Sequence, residues 1–339
     1  MKINENFENR IQNIDILRGI AILLVVIFHY TSHYSPEYLL RSDNWSLDIA
    51  KYGWSGVDIF FVVSGYCIGM TIIKTQNYSE FLVRRFARIY PTYVFCGLIT
   101  LMFYTFFELP GREVDWITGI MNLIFANFIP GLNFKYIDGI YWALFVELKF
   151  YIFFGILYFF FKDLSKAIIA WAFFSVILNL ILFLDNKIII FFTSISPHAN
   201  FFLIGLMLFN LKKRAFSSYI IISIIIMINI LINERYLGNE IYFIFLILIT
   251  SLILKTNIKF KFDLLSKIGL VSFSWYLLHN AIGIIIIREL NKIGIENLSV
   301  IIAILTTLSL SFFSFRFIEK PMKKIIVNNY KNYLKNKDI

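Results

Sequence analysis

The chain has 339 residues, 59% hydrophobic, 19% aromatic and only 16% charged, with a formal net charge of +10. Soluble domains carry about 25% charged residues and less than about half apolar ones, so this composition excludes a soluble globular enzyme and predicts an all-α membrane helical bundle. No polar stretch is long enough for a soluble domain, and the positive charge reads as juxtamembrane charge facing lipid headgroups, with no nucleic-acid partner.

A polar N-terminus, residues 1–13, precedes the first apolar run. Its charge pattern resembles a signal peptide, but no small-residue cleavage site follows and Asp15 and Arg18 interrupt the run. It therefore reads as an uncleaved anchor. Apolar runs bounded by charge predict about ten spans, near 14–33, 54–73, 89–107, 139–161, 165–184, 190–211, 216–232, 240–254, 267–288 and 297–316. The segment 116–130 is apolar but short and ends in Pro-Gly, which predicts an interfacial or re-entrant helix. With the N-terminus inside, ten spans put both termini in the cytoplasm. That orientation leaves 23 Lys and Arg inside and 8 outside, the expected bias. The predicted organisation is a cytoplasmic N-terminus at 1–13, a membrane domain at 14–321 and a basic cytoplasmic tail at 322–339. Cys67 and Cys96 lie in apolar runs and read as buried small hydrophobes.

Ionisable residues inside these runs are costly and face cavities or partners. In the first span Arg18 and His29 are eleven residues apart, which returns to within about 20° of one helix face and rises about 16 Å. His33 follows at i+4. Imidazole titrates near neutral pH, so His29 is a candidate general base or nucleophile; a packed, hydrogen-bonded histidine is the plainer reading. Arg18 lines the same face or snorkels to the surface. In the second span Asp58 needs a cation or histidine partner, and His29 or His33 is at similar depth. Gly56, Ser64 and Gly65 permit close helix approach.

Arg84, Arg85 and Arg88, at i+3 and i+4 spacings, form a basic edge at the cytoplasmic surface. They are either ordinary positive-inside charge or a phosphate site, for which arginine's bidentate fork is suited. The fourth span brings Glu147 and Tyr151 onto one face at i,i+4, with Lys149 near in sequence as a possible ion-pair partner. His279 lies mid-way in the ninth span; His198, in an outer loop, reads as incidental. The tail motif Phe315-Arg316-Phe317-Ile318-Glu319-Lys320-Pro321 closes the last span.

Six stretches in order, IDILRGIAILLVVIFH, GVDIFFVVSGY, RRFARIYP, YWALFVELKFY, SFSWYLLH and FRFIEKP, resemble the integral membrane acyltransferase-3 family, which includes bacterial sugar O-acetyltransferases. The resemblance covers about residues 14–321. The family's Arg-then-His helix lands on Arg18 and His29, its Arg-x-x-Arg motif on Arg85 and Arg88, and its Trp-x-Leu-x-Val-Glu-x-x-Phe-Tyr pattern on Trp142, Glu147 and Tyr151. Ala143 and Phe145 stand where many members have Ser, and Leu148-Lys149 where many have Glu-Gln.

The resemblance implies a membrane O-acyltransferase of the inner (plasma) membrane. Its donor would be acetyl-CoA or another acyl-CoA, with no metal, and its acceptor a hydroxyl of a cell-envelope saccharide. The implied catalytic set is His29, Asp58, Glu147, Tyr151 and His279, and the implied donor set Arg18, Arg84, Arg85 and Arg88. In that scheme Asp58 or Glu147 orients His29, and His279 or Tyr151 stabilises an oxyanion. The alternative is a proton-coupled transporter using His29, Asp58 and Glu147, which inverted repeats would favour.

Overall fold

The computed structural model describes residues 2–41, 48–132, 134–181, 191–210 and 263–337, together with Leu248 and Thr250. Among the described residues the regular structure is entirely helical. Helix α1 (Lys2–Phe28) runs on into a π-helical turn at His29–His33. A one-turn helix, α2 (Pro36–Leu39), follows. After it come α3 (Ser55–Ile72), α4 (Tyr78–Phe106), the short α5 (Trp116–Leu123), α6 (Trp142–Phe161), α7 (Leu164–Ile181) and α8 (Ala199–Asn210). The C-terminal part holds α9 (Asp263–Leu270), α10 (Ser272–Lys292), α11 (Glu296–Ser314) and α12 (Lys320–Lys337).

Among the described residues seven helices are long and apolar enough to cross a membrane, or eight if α9 and α10, which meet at a 73° bend, count as one span. These eight correspond to eight of the ten predicted spans. The other two, 216–232 and 240–254, lie outside the described residues. The segment 116–130 is not a span. Asp115 caps α5 by accepting the Thr118 amide at 2.9 Å, and the eight-residue helix ends at Phe125, which has a left-handed φ of +58°. A π-helical turn at Phe315–Glu319 joins α11 to α12, so the predicted tail continues one helical run from Glu296 to Asn336.

The chain forms two compact units. In the first, made of residues 1–17, 58–82 and 144–261, α3 and α8 meet backbone to backbone. A Cβ at Gly205 would lie 1.9 Å from the Val62 carbonyl oxygen, and one at Gly65 would lie 2.2 Å from that of Phe202. Small residues at such crossings are how helices in lipid gain packing contact where no hydrophobic drive separates them from the tails. Around this seam Phe150 stacks on Phe202 at 4.0 Å and meets Trp171 edge-on at 5.1 Å.

The second unit comprises residues 18–57, 83–143 and 262–339. Its centre is the α10–α11 hairpin, closed by Gly294 at φ +79°. The α1 segment packs closely on both sides. Gly19 lies against the Leu265 carbonyl of α9, and Gly56 lies against the Ala21 carbonyl. The Tyr30 ring lies against Gly283 of α10, where a Cβ would meet the phenol oxygen at 1.8 Å.

Gly205→Ala should destabilise the first unit by about 1–3 kcal/mol, because its contact is a backbone carbonyl that cannot move aside. Thermal unfolding in lipid nanodiscs measures this. Gly131→Ala, with open space around its Cβ, is the comparison for a change that pays only for its positive φ.

Candidate active site

Helix α10 carries the chemistry of the second unit, and its backbone explains why. In an α-helix the Ala281 amide belongs with the Leu277 carbonyl. Here the Leu277 carbonyl accepts the Tyr141 hydroxyl at 3.1 Å, and the Ala281 amide donates to Asp138 Oδ2 at 2.8 Å. The Asn280 side chain donates to Asp138 Oδ1 at 2.6 Å and accepts the Tyr34 hydroxyl at 2.8 Å. Tyr30 donates to the His279 carbonyl at 2.7 Å, and Tyr276 donates to the Ile140 carbonyl at 2.8 Å. Side chains from two other segments, Tyr30 and Tyr34 after α1 and Asp138 and Tyr141 before α6, thus hold one turn of α10, and His279 sits in the middle of that turn.

The imidazoles of His29 and His279 meet at 3.3 Å, Nδ1 to Nε2. Their tautomers follow from their other partners. His29 Nδ1 lies 2.8 Å from the Val25 carbonyl, and His279 Nδ1 lies 2.8 Å from that of Tyr276. A carbonyl only accepts, so each Nδ1 carries its proton. His279 Nε2 is then an acceptor facing the His29 N–H. The Nε2 of His29 is left as a lone pair. A proton taken up there gives an imidazolium whose Nδ1–H already has two acceptors, the arrangement a general base needs. His29 is 8% exposed and His279 fully buried. His29 also opens the π-helical turn, a local widening that recurs at functional sites.

Around the pair, His33 and Tyr34 pack ring to ring at 4.6 Å. The Arg112 guanidinium covers Tyr34 at 4.5 Å. Asp138 is buried, and burial pushes its carboxyl pKa up; donors from Asn280, Ala281 and Ile140 and the charge of Arg112 pull it back. Burial likewise raises the Tyr34 phenol, which keeps it a neutral donor to Asn280.

At the other end of α4, the predicted arginine edge is present on the first turns of the helix. Arg85 is buried, and Arg84 and Arg88 are half-buried. Glu319 takes part in this cluster. Its charged neighbours are Arg88 and Lys323, and Ser274 donates to it at 3.1 Å. Lys323 in turn lies in the field of Arg84, Arg85 and Arg88.

Within the first unit, Glu147 Oε1 accepts the Ser64 hydroxyl at 2.6 Å and the Tyr151 hydroxyl, and Ser64 and Tyr151 lie 3.1 Å apart. The expected Glu147–Tyr151 pairing is therefore present, with Ser64 completing a triangle. Lys149 does not pair with Glu147. Its ammonium donates to the Phe191 carbonyl and to Ser194, both at 2.8 Å, because residues two apart face opposite sides of a helix. Asp58 is buried at 4% in this same unit. His198 is buried too, in a 3₁₀ turn beside Phe61. Among the described residues no group of three or more His, Cys, Asp or Glu has the arrangement of a metal site.

Sequence reasoning missed Asp138, Asn280, Tyr34 and Glu319. Asp138 precedes Gly139 and reads as turn chemistry, whereas Asn280 adjoins the flagged His279 and Glu319 stands in a flagged motif. Asp138→Asn keeps one acceptor but sets an NH₂ against a donor, so it should cost about 1–3 kcal/mol. It should also lower transfer, read by thermal unfolding and activity in nanodiscs. Asp115→Asn, on an exposed helix cap, should cost no more than a few tenths of a kcal/mol by the same measurement.

The family profile of an acyltransferase domain, acyltransferase 3, matches residues 11–316. Among curated proteins, the chain is 26% identical over 146 residues to an O-acetyl transferase of Shigella phage Sf6, covering 40% of this chain and 42% of that protein. It is 33% identical over 107 residues to the peptidoglycan O-acetyltransferase OatA of Listeria monocytogenes, covering 30% of this chain and 14% of OatA. The match thus spans less than half the length of either relative. No solved structure matches the chain. With a profile match over most of its length, the chain belongs to the acyltransferase-3 family of membrane acyltransferases.

Proposed function

We propose that the protein is an O-acyltransferase of the plasma membrane that moves an acyl group, acetyl in the simplest case, from cytoplasmic acyl-CoA to a hydroxyl of a cell-envelope saccharide. The observation that carries this reading is the His29–His279 pair, with His29 Nε2 left as a base in a chain of an acyltransferase family. Membership of that family favours transfer over the transport alternative. The proposed organisation is a cytoplasmic N-terminus at 1–13, a catalytic membrane domain at 14–321 and a basic cytoplasmic tail from 322.

In this reading Arg84, Arg85 and Arg88 hold the phosphates of the donor, because guanidinium forks pair with phosphate oxygens in two places at once. Arg18 lines the path, eleven residues before His29 in the same helical run. The acyl thioester reaches His29, and the acceptor hydroxyl approaches from the other side of the membrane. His29 Nε2 takes the hydroxyl proton as the oxygen bonds to the thioester carbonyl carbon. The carbon–sulfur bond of the tetrahedral intermediate then breaks, and His29 returns its proton to the departing CoA sulfur. His279 Nε2 accepts the His29 Nδ1–H throughout and holds the ring in orientation. Asp58, Glu147 and Tyr151 complete the proposed catalytic set, Glu147 and Tyr151 through the triangle they form with Ser64.

The decisive experiment is transfer from labelled acetyl-CoA to envelope glycan in membranes carrying His29→Ala at normal expression. The expected loss is about 10²- to 10⁴-fold, the usual contribution of a general base; wild-type transfer removes His29 from the mechanism. Arg85→Ala combined with Arg88→Ala should weaken acyl-CoA binding at least about tenfold, since each charge-assisted bond contributes about 1.5–3 kcal/mol. Unchanged affinity leaves those arginines as topology determinants alone.

A further inference from the structure

The second unit carries two groups of cations, and the donor site described above uses one of them. Arg84, Arg85 and Arg88 lie at the start of α4, and Arg112 and Lys135 lie in the segments beyond its end. Arg88 lies 18 residues before the end of α4 at Phe106, a rise of about 27 Å, so a phosphate held by the first group is far from the second. Arg112 and Lys135 line an open cleft of about 490 Å³, together with Phe134, Tyr136, Gly111 and Gly139. That volume is typical of a small-molecule site.

The walls of this cleft are held in place by named bonds. The Asn127 carboxamide brackets Phe134, accepting its amide at 2.8 Å and donating to its carbonyl at 3.1 Å. Asn122 donates to the Lys135 carbonyl at 2.8 Å, and Tyr104 to that of Ile137 at 3.1 Å. The Lys135 ammonium joins the two walls by donating to the carbonyls of Gly111 and Glu113 at 3.1 and 3.0 Å. An ammonium has three donors, so one remains for a ligand. The Arg112 guanidinium lies 4.5 Å from the Tyr34 ring centre, and the neighbouring Gly139 has no side chain to cover it. Asp138, the carboxylate whose charge reaches Arg112, is already held by the N–H groups of Asn280, Ala281 and Ile140. Arg112 links the cleft wall to the histidine site through side-chain contacts: its guanidinium meets the Tyr34 ring, and Tyr34 donates to Asn280, the neighbour of His279.

Two cations beside aromatic side chains suit a sugar that bears an acid. A pyranose ring stacks its C–H face on a phenol, and a carboxylate or phosphate pairs with a guanidinium through two parallel bonds. A neutral sugar would take only ordinary hydrogen bonds from these groups, whereas an acid takes the stronger charge-assisted ones. We propose that this cleft binds a negatively charged residue of the acceptor glycan, with Arg112 and Lys135 holding its anionic group and Tyr136 stacking on its ring. The anion is a carboxylate on the sugar or a phosphate linking the sugar to its carrier. The proposal rests on the acyl-transfer reading and adds the substrate class to it.

The test uses the full chain in lipid nanodiscs with three probes: tri-galacturonic acid, its fully methyl-esterified form and inorganic pyrophosphate. An anionic probe should bind at least about tenfold more tightly than the ester, a difference of about 1.4 kcal/mol. Arg112→Gln should bring that preference below about twofold. Lys135→Gln should reduce it in the same direction, and serves as the variant if Arg112→Gln does not fold. Tighter binding of the acidic trisaccharide than of pyrophosphate assigns the site to a sugar carboxylate; the reverse assigns it to a linking phosphate. Equal binding of acid and ester with pyrophosphate silent, or a preference unchanged in both variants, overturns the proposal. Either of those results, alongside transfer that still depends on His29, confines the failure to the acceptor class and leaves the acyl-transfer reading standing.

Discussion

The structure of the second unit depends on how one turn of α10 satisfies its backbone. Polar backbone groups at membrane depth have no water to turn to, so each must find a protein partner. Between Leu277 and Ala281 further partners come from outside the helix: a tyrosine hydroxyl for one carbonyl, a carboxylate for one amide, and a second tyrosine for the carbonyl of His279. Each of these bonds fixes the turn from a different direction. Because buried donors and acceptors left unmade cost about 1–3 kcal/mol each, the network tolerates few substitutions.

That clamp is also what gives the histidine pair its chemistry. A histidine on a freely rotating side chain presents either nitrogen. Here the helix carbonyls of Val25 and Tyr276 select the Nδ1 proton on both rings, and the fixed turn of α10 aims His279 Nε2 at His29. Tyr30, adjacent to His29, is the residue that anchors α1 to α10, through its hydroxyl and through the space left by Gly283. Position of the base and packing of the helix therefore share the same residues. The widened turn at His29–His33 belongs to this arrangement, since it begins at the histidine that faces α10.

The helical class, eight of the ten spans, the short segment at 116–130 and the arginine edge of α4 were all legible in the sequence, because apolar run length and charge position are local properties. The clustering of His29 with His279 was not, since 250 positions separate them and only the crossing of α1 with α10 brings them together. Asp138 carries no sequence signal distinguishing it from an ordinary turn aspartate. Its role appears only where the fold brings it to the Ala281 amide and the Asn280 side chain of α10. Lys149 illustrates the opposite error: closeness in sequence to Glu147 suggested an ion pair, and helical geometry sends the two side chains apart. The continuation of the last helix past 316 was not legible either. The charged residues of the tail end the apolar run without ending the helix, which continues through α12.

The claim on which the account turns is that His29 is an Nδ1–H tautomer with its Nε2 lone pair available. The chain has only four histidines, so ¹⁵N-histidine labelling of the full protein in nanodiscs gives a spectrum that single substitutions assign. At neutral pH the account predicts a protonated Nδ1 and an unprotonated Nε2 for His29, a tautomer that persists in His279→Ala because the Val25 carbonyl still accepts the Nδ1 proton. A His29 that carries its proton on Nε2 in the intact protein contradicts it.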